Sequence, residues 1–397
     1  MKIFVINSGS TSIKFKLYSM PEEKVIAHGK VANIGQPKSA LNYFHNGLEE
    51  NIDRKIENHK AGLTLVIERL LDEEKGAIKD IKDIKALGHR VVNIGDRIRG
   101  SAIINDRVIS YIEECLDLAP LHNPPNLTGI KVCRELFGSG TPNVAVFDNI
   151  FHQDIPEKAY LYGIPYNLYE KYKIRKYGFH GIAYKYMVEK VSELTAKSLK
   201  ELKIVATMLG GGSSITAFDR GRTLDTSMGF TPAEGLLMST RTGDLDPAII
   251  PYIMKKEHLD IQGIDNFINK RSGLFGLSGK FRDYKDIEKG VLSGDNDCIR
   301  AFNSYCYRIK KYIGSYVAVM NGIDIIVFGG GIGENSPITR KEILKDLDYF
   351  KIYIDPQKNK HLQGEGQISA SKSEVAVFVA NVDEELIIAR ETYNLLA

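Results

Sequence analysis

Short apolar runs alternate along the chain with longer stretches of helical periodicity. A run of about four to eight residues that is rich in β-branched or aromatic side chains is typical of a buried strand. The clearest helix lies between residues 299 and 320, where apolar side chains recur every three or four positions and so share one face. This alternation predicts an α/β fold. The predicted strands are residues 2–6, 13–17, 144–147, 204–208, 215–218, 325–328 and 375–380.

One strand–turn–strand pattern occurs twice, once in each half of the chain. Gly9-Ser10-Thr11-Ser12-Ile13-Lys14 follows one apolar strand, and Gly211-Gly212-Ser213-Ser214-Ile215-Thr216 follows another. This repetition predicts a duplicated fold. Each turn presents backbone N–H groups and hydroxyls, which bind phosphate well, although an ordinary Gly/Ser hairpin turn has the same composition.

A third glycine cluster, Gly329-Gly330-Gly331-Ile332-Gly333-Glu334-Asn335, follows the predicted strand at residues 325–328. A helix can begin there and let a nucleotide approach the backbone closely. The cluster contains part of a G-x-G pattern, but the acidic ribose ligand of dinucleotide sites does not follow at the usual distance. The sequence also has no G-x-x-x-x-G-K-[ST] motif, so it is not that of a P-loop protein.

Composition narrows the class of protein further. A length of 397 residues predicts two domains or one very large domain, and 26% charged with 43% hydrophobic residues is typical of a soluble globular chain. The net charge of +3 gives no indication of nucleic acid or a membrane surface as a partner. The four cysteines form no C-x-x-C pair, so a structural metal site is not expected. The amino terminus lacks a secretory signal, and we therefore expect a cytoplasmic protein.

Four isolated polar residues lie in apolar or rigid surroundings. Arg90 ends a strand-like run, Arg241 lies in a polar turn, His122 lies among prolines, and His180 lies between Phe179 and a glycine. A lone arginine is most often solvated or salt-bridged, and a lone histidine beside glycine or proline is more often structural than catalytic. Taken one at a time, these residues leave the structural and the functional interpretation open.

Taken together, the motifs resemble those of the acetate kinase family, within the sugar kinase and actin superfamily, from end to end of the chain. The markers in the first half are Asn7-Ser8-Gly9-Ser10-Thr11-Ser12, Gly88-His89-Arg90-Val91-Val92, Ala119-Pro120-Leu121-His122-Asn123-Pro124, Phe147-Asp148 and Tyr177-Gly178-Phe179-His180-Gly181. Those in the second half are Asp225-Thr226-Ser227-Met228-Gly229, Thr240-Arg241-Thr242-Gly243-Asp244, Gly331-Ile332-Gly333-Glu334-Asn335 and Asp383-Glu384-Glu385-Leu386.

The resemblance implies an α/β protein with two domains of duplicated ribonuclease H-like, or actin-like, fold and a nucleotide cleft between them. The expected N-terminal domain comprises residues 1–149 together with a C-terminal helix at residues 385–397. Residues 150–384 form the expected nucleotide-binding domain. The implied reaction is reversible, Mg²⁺-dependent phosphoryl transfer from ATP to acetate, with Mn²⁺ as an alternative metal, and the implied assembly is a homodimer.

The resemblance also assigns roles to residues. Arg90 and Arg241 would bind the carboxylate and the transferring phosphoryl group, His180 and less directly His122 would donate hydrogen bonds to it, and Asp148 would complete the catalytic set. Asn7 and Glu384 would hold the metal. The acetate methyl group would lie among Val92, Leu121, Phe179 and Pro232. The nucleotide would contact Ser12, Lys14, Gly210, Gly211, Gly212, Ser214, Gly330, Gly331, Ile332 and Asn335.

The chemistry of these residue types agrees with a carboxylate acceptor. A carboxylate is already ionised at neutral pH, so its phosphorylation needs neither a general base nor a serine or cysteine nucleophile. It does need groups that stabilise the charge of a planar phosphoryl group, and arginine, histidine and a metal supply these. Mg²⁺ prefers one or two carboxylates together with phosphate and water, so two acidic residues are enough to bind it in such a site.

The chain departs from the family pattern around the phosphates. The second glycine loop usually reads His-Leu-Gly-Asn-Gly and here reads Met208-Leu209-Gly210-Gly211-Gly212, so a histidine and an amide are replaced. After His180, the family's Gly-Thr-Ser-His becomes Gly181-Ile182-Ala183-Tyr184. Two alternatives to acetate kinase therefore stay open. One is a propionate or diphosphate-dependent kinase, and the other is a nucleotide-binding relative without catalytic activity.

Overall fold

The computed structural model describes residues 1–397, which form two compact units. Unit 1 comprises residues 1–150 and 383–397, and unit 2 comprises residues 151–382. None of the helices combines the length and the apolar character that a membrane span requires.

Fourteen strands and fifteen α-helices make up the two units. The strands are β1 (Lys2–Ser8), β2 (Ile13–Ser19), β3 (Lys24–Ala32), β4 (Ala40–His45), β5 (Leu48–Asp53), β6 (Ile84–Val91), β7 (Ala102–Ile103), β8 (Asn143–Phe147), β9 (Lys203–Leu209), β10 (Ser213–Asp219), β11 (Arg222–Thr226), β12 (Ile325–Gly329), β13 (Gly366–Gln367) and β14 (Ala376–Val379). The helices are α1 (His59–Leu70), α2 (Asp106–Glu114), α3 (Asn123–Phe137), α4 (Glu157–Tyr160), α5 (Tyr166–Tyr172), α6 (Gly181–Thr195), α7 (Ile249–Lys256), α8 (Ile261–Lys270), α9 (Gly273–Ser278), α10 (Tyr284–Leu292), α11 (Asn296–Met320), α12 (Gly330–Asn335), α13 (Pro337–Leu344), α14 (Pro356–His361) and α15 (Glu384–Leu396). Short 3₁₀ helices lie at Ile81–Asp83, Leu116–Leu118, Asp148–His152 and Asp348–Phe350.

The sheets of the two units share one topology. Unit 1 has an eight-stranded sheet of order β5-β4-β3-β2-β1-β6-β8-β7, and unit 2 has a six-stranded sheet of order β11-β10-β9-β12-β14-β13. In both, three antiparallel strands (β3-β2-β1 and β11-β10-β9) are followed by two parallel ones (β6-β8 and β12-β14). The α/β class and the duplication predicted from the sequence are confirmed.

Helices cover the faces of each sheet because the central strands are apolar on both sides. In unit 2, every residue of β12 is buried, and the long helix α11 turns its apolar stripe of Phe302, Ile309, Ile313 and other side chains into the core. In unit 1, α1 packs on β2 and β4, and α3 packs on β1 and β6.

The last helix, α15, belongs to unit 1 and packs on β1, β6 and β8. Its approach is close, since a Cβ at Gly88 of β6 would lie 2.7 Å from Ile388 Cγ2 and from Thr392 Oγ1. Ile387 and Ile388 are fully buried there, each contributing about 1.5–3 kcal/mol of transfer free energy. This packing places Glu384, the first residue of α15, beside the end of β6.

Candidate active site

The carboxyl end of β1 leads into the first Gly/Ser turn of unit 1. β1 and β2 pair in register up to Ser8 and Ile13, and the turn closes where the Gly9 N–H donates to the Ser12 carbonyl at 2.8 Å. Asn7 is half-buried on the last residues of β1, whereas the Lys14 side chain is exposed on β2. The hairpin predicted from the sequence is therefore present, with Lys14 exposed on β2.

Three buried asparagines hold the strand ends of unit 1 in place. Asn126 of α3 donates to the Ser8 carbonyl at 2.7 Å and accepts from the Val92 N–H at 3.2 Å, so one side chain joins the ends of β1 and β6. Asn123 and Asn149 tie the segment after β6 in the same way. A buried backbone group needs a partner, and these amides supply it where no strand is adjacent. No spacing in the sequence marks Asn126 or Asn149 for this role.

Arg90 lies between two carboxylates at the end of β6. Its Nη2 and Nε donate to Asp148 Oδ2 at 2.6 and 3.1 Å, and its Nη1 lies 3.7 Å from Glu384 Oε2. Burial lowers the pKa of Arg90, but the two carboxylates raise it by more, so the net pKa lies above the ordinary value. The guanidinium is therefore permanently charged and held in one orientation.

The same carboxylates suit a divalent cation. Asp148 is 1% exposed, and its Oδ1, which does not face Arg90, has no hydrogen-bond donor. Burial raises the pKa of Glu384, Arg90 lowers it, and the charge of Asp148 raises it again. An acceptor without a donor and two carboxylates close together are both stabilised by a cation, so these residues fit Mg²⁺. No group of three or more histidine, cysteine, aspartate or glutamate side chains is arranged to hold a metal ion without further ligands.

In unit 2, the second glycine loop joins β9 to β10 and lies against two predicted site residues. A Cβ placed on Gly212 would lie 3.6 Å from His180 Nε2 and 3.7 Å from Arg241 Nη1. His180 precedes α6 with φ 57°, in the left-handed region, which turns its ring toward β10. The structure thus brings Gly212, His180 and Arg241 together.

Arg241 carries a charge that no carboxylate neutralises. No acidic side chain lies within 4.0 Å of its guanidinium, and Nη1 donates only weakly, to the Pro232 carbonyl at 3.3 Å and to the Met238 sulfur at 3.8 Å. Burial lowers the pKa of Arg241, with no opposing charge. A half-buried cation of this kind is stabilised by a bound anion.

His180 is held from two sides. Its Nδ1 lies 2.8 Å from Ser214 Oγ, which in turn lies 2.5 Å from the Tyr184 hydroxyl. The backbone before it is fixed because His152 Nε2 donates to the Phe179 carbonyl at 2.9 Å. Burial lowers the pKa of His152 to about 4, so this ring is neutral.

A cavity of about 670 Å³ opens beside the second glycine loop, entirely within unit 2. Several predicted nucleotide ligands line it, namely Gly210, Gly211, Gly331, Ile332 and Asn335. Its other lining residues, which sequence reasoning missed, are Ser239, Arg282, Asp283, Tyr284, Lys285, Glu288 and Ser336. For residues 282–285, the sequence signal is a short turn between Gly279, where α9 ends, and Asp283, which caps α10.

The third glycine cluster forms one wall of that cavity. Gly330 has φ 76°, and a Cβ there would lie 2.6 Å from the Leu209 carbonyl oxygen, so only glycine fits. Nothing lies within 4 Å of a Cβ at Gly331, which leaves room for a flat ring. The fully buried Arg340 donates to the Gly333 and Glu334 carbonyls at 2.7 and 2.9 Å and so fixes the end of α12.

The remaining predicted residues lie apart from these contacts. His122 is half-buried and precedes the first residue of α3, while Leu121 is 54% exposed. Val92 is buried in unit 1. In unit 2, Phe179 is buried and Pro232 is partly exposed. Whether these four apolar side chains receive a methyl group stays a prediction.

Comparison with known proteins identifies the family. The sequence profile of the Acetokinase family matches residues 2–390. The chain belongs to this family. It is 48% identical over 397 residues to the acetate kinase of Halothermothrix orenii, with 100% of both chains covered. The crystal structure of Porphyromonas gingivalis acetate kinase superimposes with a TM-score of 0.94 at 39% identity and covers 100% of both chains. A propionate kinase from Francisella tularensis follows with a TM-score of 0.93 at 35% identity and 99% coverage of both.

Membership of the acetokinase family sets the class of reaction. The chain is a kinase that uses ATP, and its phosphoryl acceptor is a carboxyl group. The predicted family and the duplicated actin-like fold are confirmed.

Proposed function

We propose that this protein is an acetate kinase that transfers the γ-phosphoryl group of ATP directly to acetate, giving acetyl phosphate and ADP. The observation that carries the residue assignment is the Arg241 guanidinium, half-buried beside Gly212 and His180 Nε2 without a carboxylate partner. Mere nucleotide binding does not require a half-buried, unneutralised cation at that position. A transferring phosphoryl group, whose charge is spread over three oxygens, does.

The transfer needs no proton to move. An oxygen of the ionised acetate forms a bond to the γ-phosphorus, while the bond to the bridging oxygen breaks and ADP leaves with that electron pair. Arg90 and Arg241 bind the acetate carboxylate and the transferring group. His180, and less directly His122, donates hydrogen bonds to the equatorial oxygens. Charge stabilisation and alignment account for the catalysis, as is usual for phosphoryl transfer.

The nucleotide occupies the cavity of unit 2 in this proposal. Gly330, Gly331, Ile332 and Asn335 contact the base, and residues 210–212 with Ser214 contact the phosphates through backbone N–H groups and a hydroxyl. Ser12 and Lys14 of unit 1 serve the phosphates as well. Asn7 and Glu384, with Asp148 beside them, would hold Mg²⁺, or Mn²⁺ in its place. The metal would supply positive charge to the phosphate oxygens.

The acyl group is the second element of the proposal. Val92, Leu121, Phe179 and Pro232 are assigned to the acetate methyl group. One methylene in an apolar pocket changes binding by only about 1–3 kcal/mol, so propionate is expected to react more slowly rather than to be rejected. A propionate kinase shares 35% of its sequence with this chain, so propionate is the competing acceptor. We also propose a cytoplasmic location and a homodimer, which sedimentation velocity would test.

A hydroxylamine trap for acyl phosphate tests the proposal. The purified chain is assayed with ATP, GTP and diphosphate against acetate, propionate and butyrate, with and without EDTA. ATP with acetate should give the highest kcat/KM, and EDTA should abolish it. A preference for diphosphate or propionate would replace the donor or the acceptor in the proposal. ATP binding without product from any pair would establish a non-catalytic relative instead.

A further inference from the structure

Tyr184 lies on the first turn of α6, one helical turn after His180, and is fully buried. Its ring packs against Phe151 and His152, with centroids 6.0 and 5.6 Å away. Its hydroxyl reaches Ser214 Oγ at 2.5 Å, and the same Ser214 oxygen lies 2.8 Å from His180 Nδ1. Three side chains therefore form a continuous path of hydrogen bonds that ends on a proposed catalytic histidine.

The direction of these hydrogen bonds follows from the proton of Tyr184. Burial raises the pKa of this phenol well above its ordinary value, so the phenol keeps its proton. The hydrogen-bond partner of the buried Tyr184 hydroxyl is Ser214 Oγ, and a buried O–H group needs an acceptor, so Tyr184 donates to Ser214. Ser214, having accepted that proton, directs its own hydroxyl hydrogen to His180 Nδ1.

We propose that Tyr184 is a positioning residue that, through Ser214, holds His180 in the neutral form protonated at Nε2. A neutral imidazole ring that accepts a hydrogen bond at Nδ1 carries its proton on Nε2. His180 Nε2 faces Gly212 and Arg241, where a transferring phosphoryl group is proposed to lie. An Nε2–H donates to a phosphoryl oxygen, whereas the other tautomer would present a lone pair and repel it.

The inference rests on the proposed role of His180 and concerns a side chain in which this chain departs from the family pattern. The segment after His180 reads Gly181-Ile182-Ala183-Tyr184, where the family has Gly-Thr-Ser-His. The tyrosine hydroxyl supplies a donor for Ser214 in that position. Its ring contacts are independent of the hydroxyl, so Tyr184→Phe removes the donor and keeps the packing.

The kinetic test uses Tyr184→Phe, Ser214→Ala and the double variant. Tyr184→Phe should lower kcat about tenfold, in the range found when a residue that orients a functional histidine is removed, with KM for ATP and acetate changed less than twofold. In the Ser214→Ala background, Tyr184→Phe should lower kcat no further, because Tyr184 acts only through Ser214. Tyr186→Phe is the matched control, since it removes a hydroxyl from the same helix that bonds Glu365 at 2.9 Å. Its kcat should equal that of the wild type.

The second readout is the tautomer itself. Protein labelled with ¹⁵N-histidine is examined by NMR, and the signals that vanish in His180→Gln are assigned to His180. The wild type should give the Nε2–H tautomer, and Tyr184→Phe a mixture of both. A kcat within twofold of the wild type, an additive loss in the double variant, or an Nδ1–H signal in the wild type would each overturn the proposal. If no acyl phosphate forms, the proposed function fails, but the NMR result still decides the role of Tyr184.

Discussion

Gly211→Asn tests whether the altered glycine loop limits the rate. In the family pattern an asparagine occupies this position, and here the side chain is replaced by hydrogen. The structure has room for it, because a Cβ at Gly211 would meet only Ser239 Oγ, at 3.9 Å. The Gly211 carbonyl accepts from the Ser239 N–H at 3.1 Å, a backbone bond that asparagine retains. Gly211 is also outside the left-handed region, so the substitution introduces no backbone strain.

The expected gain follows from the direction of the new side chain. Gly211 and Ser239 both line the cavity assigned to the nucleotide, so the added amide can donate to a phosphate oxygen. One donor aimed at charge that develops in the transition state changes turnover by up to about a thousandfold, and at least about tenfold is expected here. The KM for acetate should change little, because the loop lies on the side of the phosphates.

Initial rates of acetohydroxamate formation at saturating ATP measure this effect. Gly140→Asn is the matched control, since it adds the same side chain to unit 1 where nothing lies within 4 Å of the new Cβ. An unchanged rate in Gly211→Asn, in an enzyme whose wild type already turns over freely, would refute the reasoning. It would mean that the backbone N–H groups of Gly211 and Gly212 already supply the donors that the amide supplies elsewhere.

The other predictions concern the two arginines and a buried histidine. Arg241→Ala should lower kcat by at least about a thousandfold, because the lost charge acts on the transition state. The dissociation constant for ATP, measured by calorimetry, should stay within about tenfold of the wild-type value. Near wild-type turnover would show that Arg241 is misassigned. Arg90→Ala should also raise the KM for acetate at least about tenfold and destabilise the fold by roughly 3–5 kcal/mol in urea titrations, since Asp148 and Glu384 lose their partner. Burial lowers the pKa of His89 to about 4, so the unfolded chain binds the proton more readily, and stability should fall as the pH drops from about 6.5 to 4. His89→Gln can still donate to Asn143 Oδ1. Between pH 6.5 and 5, its free energy of unfolding should fall by about 2 kcal/mol less than that of the wild type. An equal fall in both proteins would contradict this assignment.

The sequence by itself determined seven of the fourteen strands, among them the central strands of both sheets. The predicted strands at residues 2–6, 204–208 and 325–328 lie within β1, β9 and β12. A short apolar run bounded by turn residues is typical of a buried strand whatever the rest of the fold. The predicted helix at residues 299–320 lies within α11. The family motifs were equally readable, since a glycine loop and the polar residues beside it are contiguous in the chain.

Only the tertiary structure decided which polar groups meet. Asn126 joins Ser8 to Val92 across 118 and 34 residues of sequence, and the Tyr184 hydroxyl meets Ser214 across 30. Residues 282–285 and Glu288 line the cavity proposed for the nucleotide, and α9 and α10, which bring them there, both pack on α11. An apolar side chain gains free energy from burial almost regardless of its neighbours, whereas a hydrogen bond requires one partner at one distance and angle. The local sequence pattern therefore predicts which side chains are buried, whereas strand register and helix packing determine which polar groups of the site bond to each other.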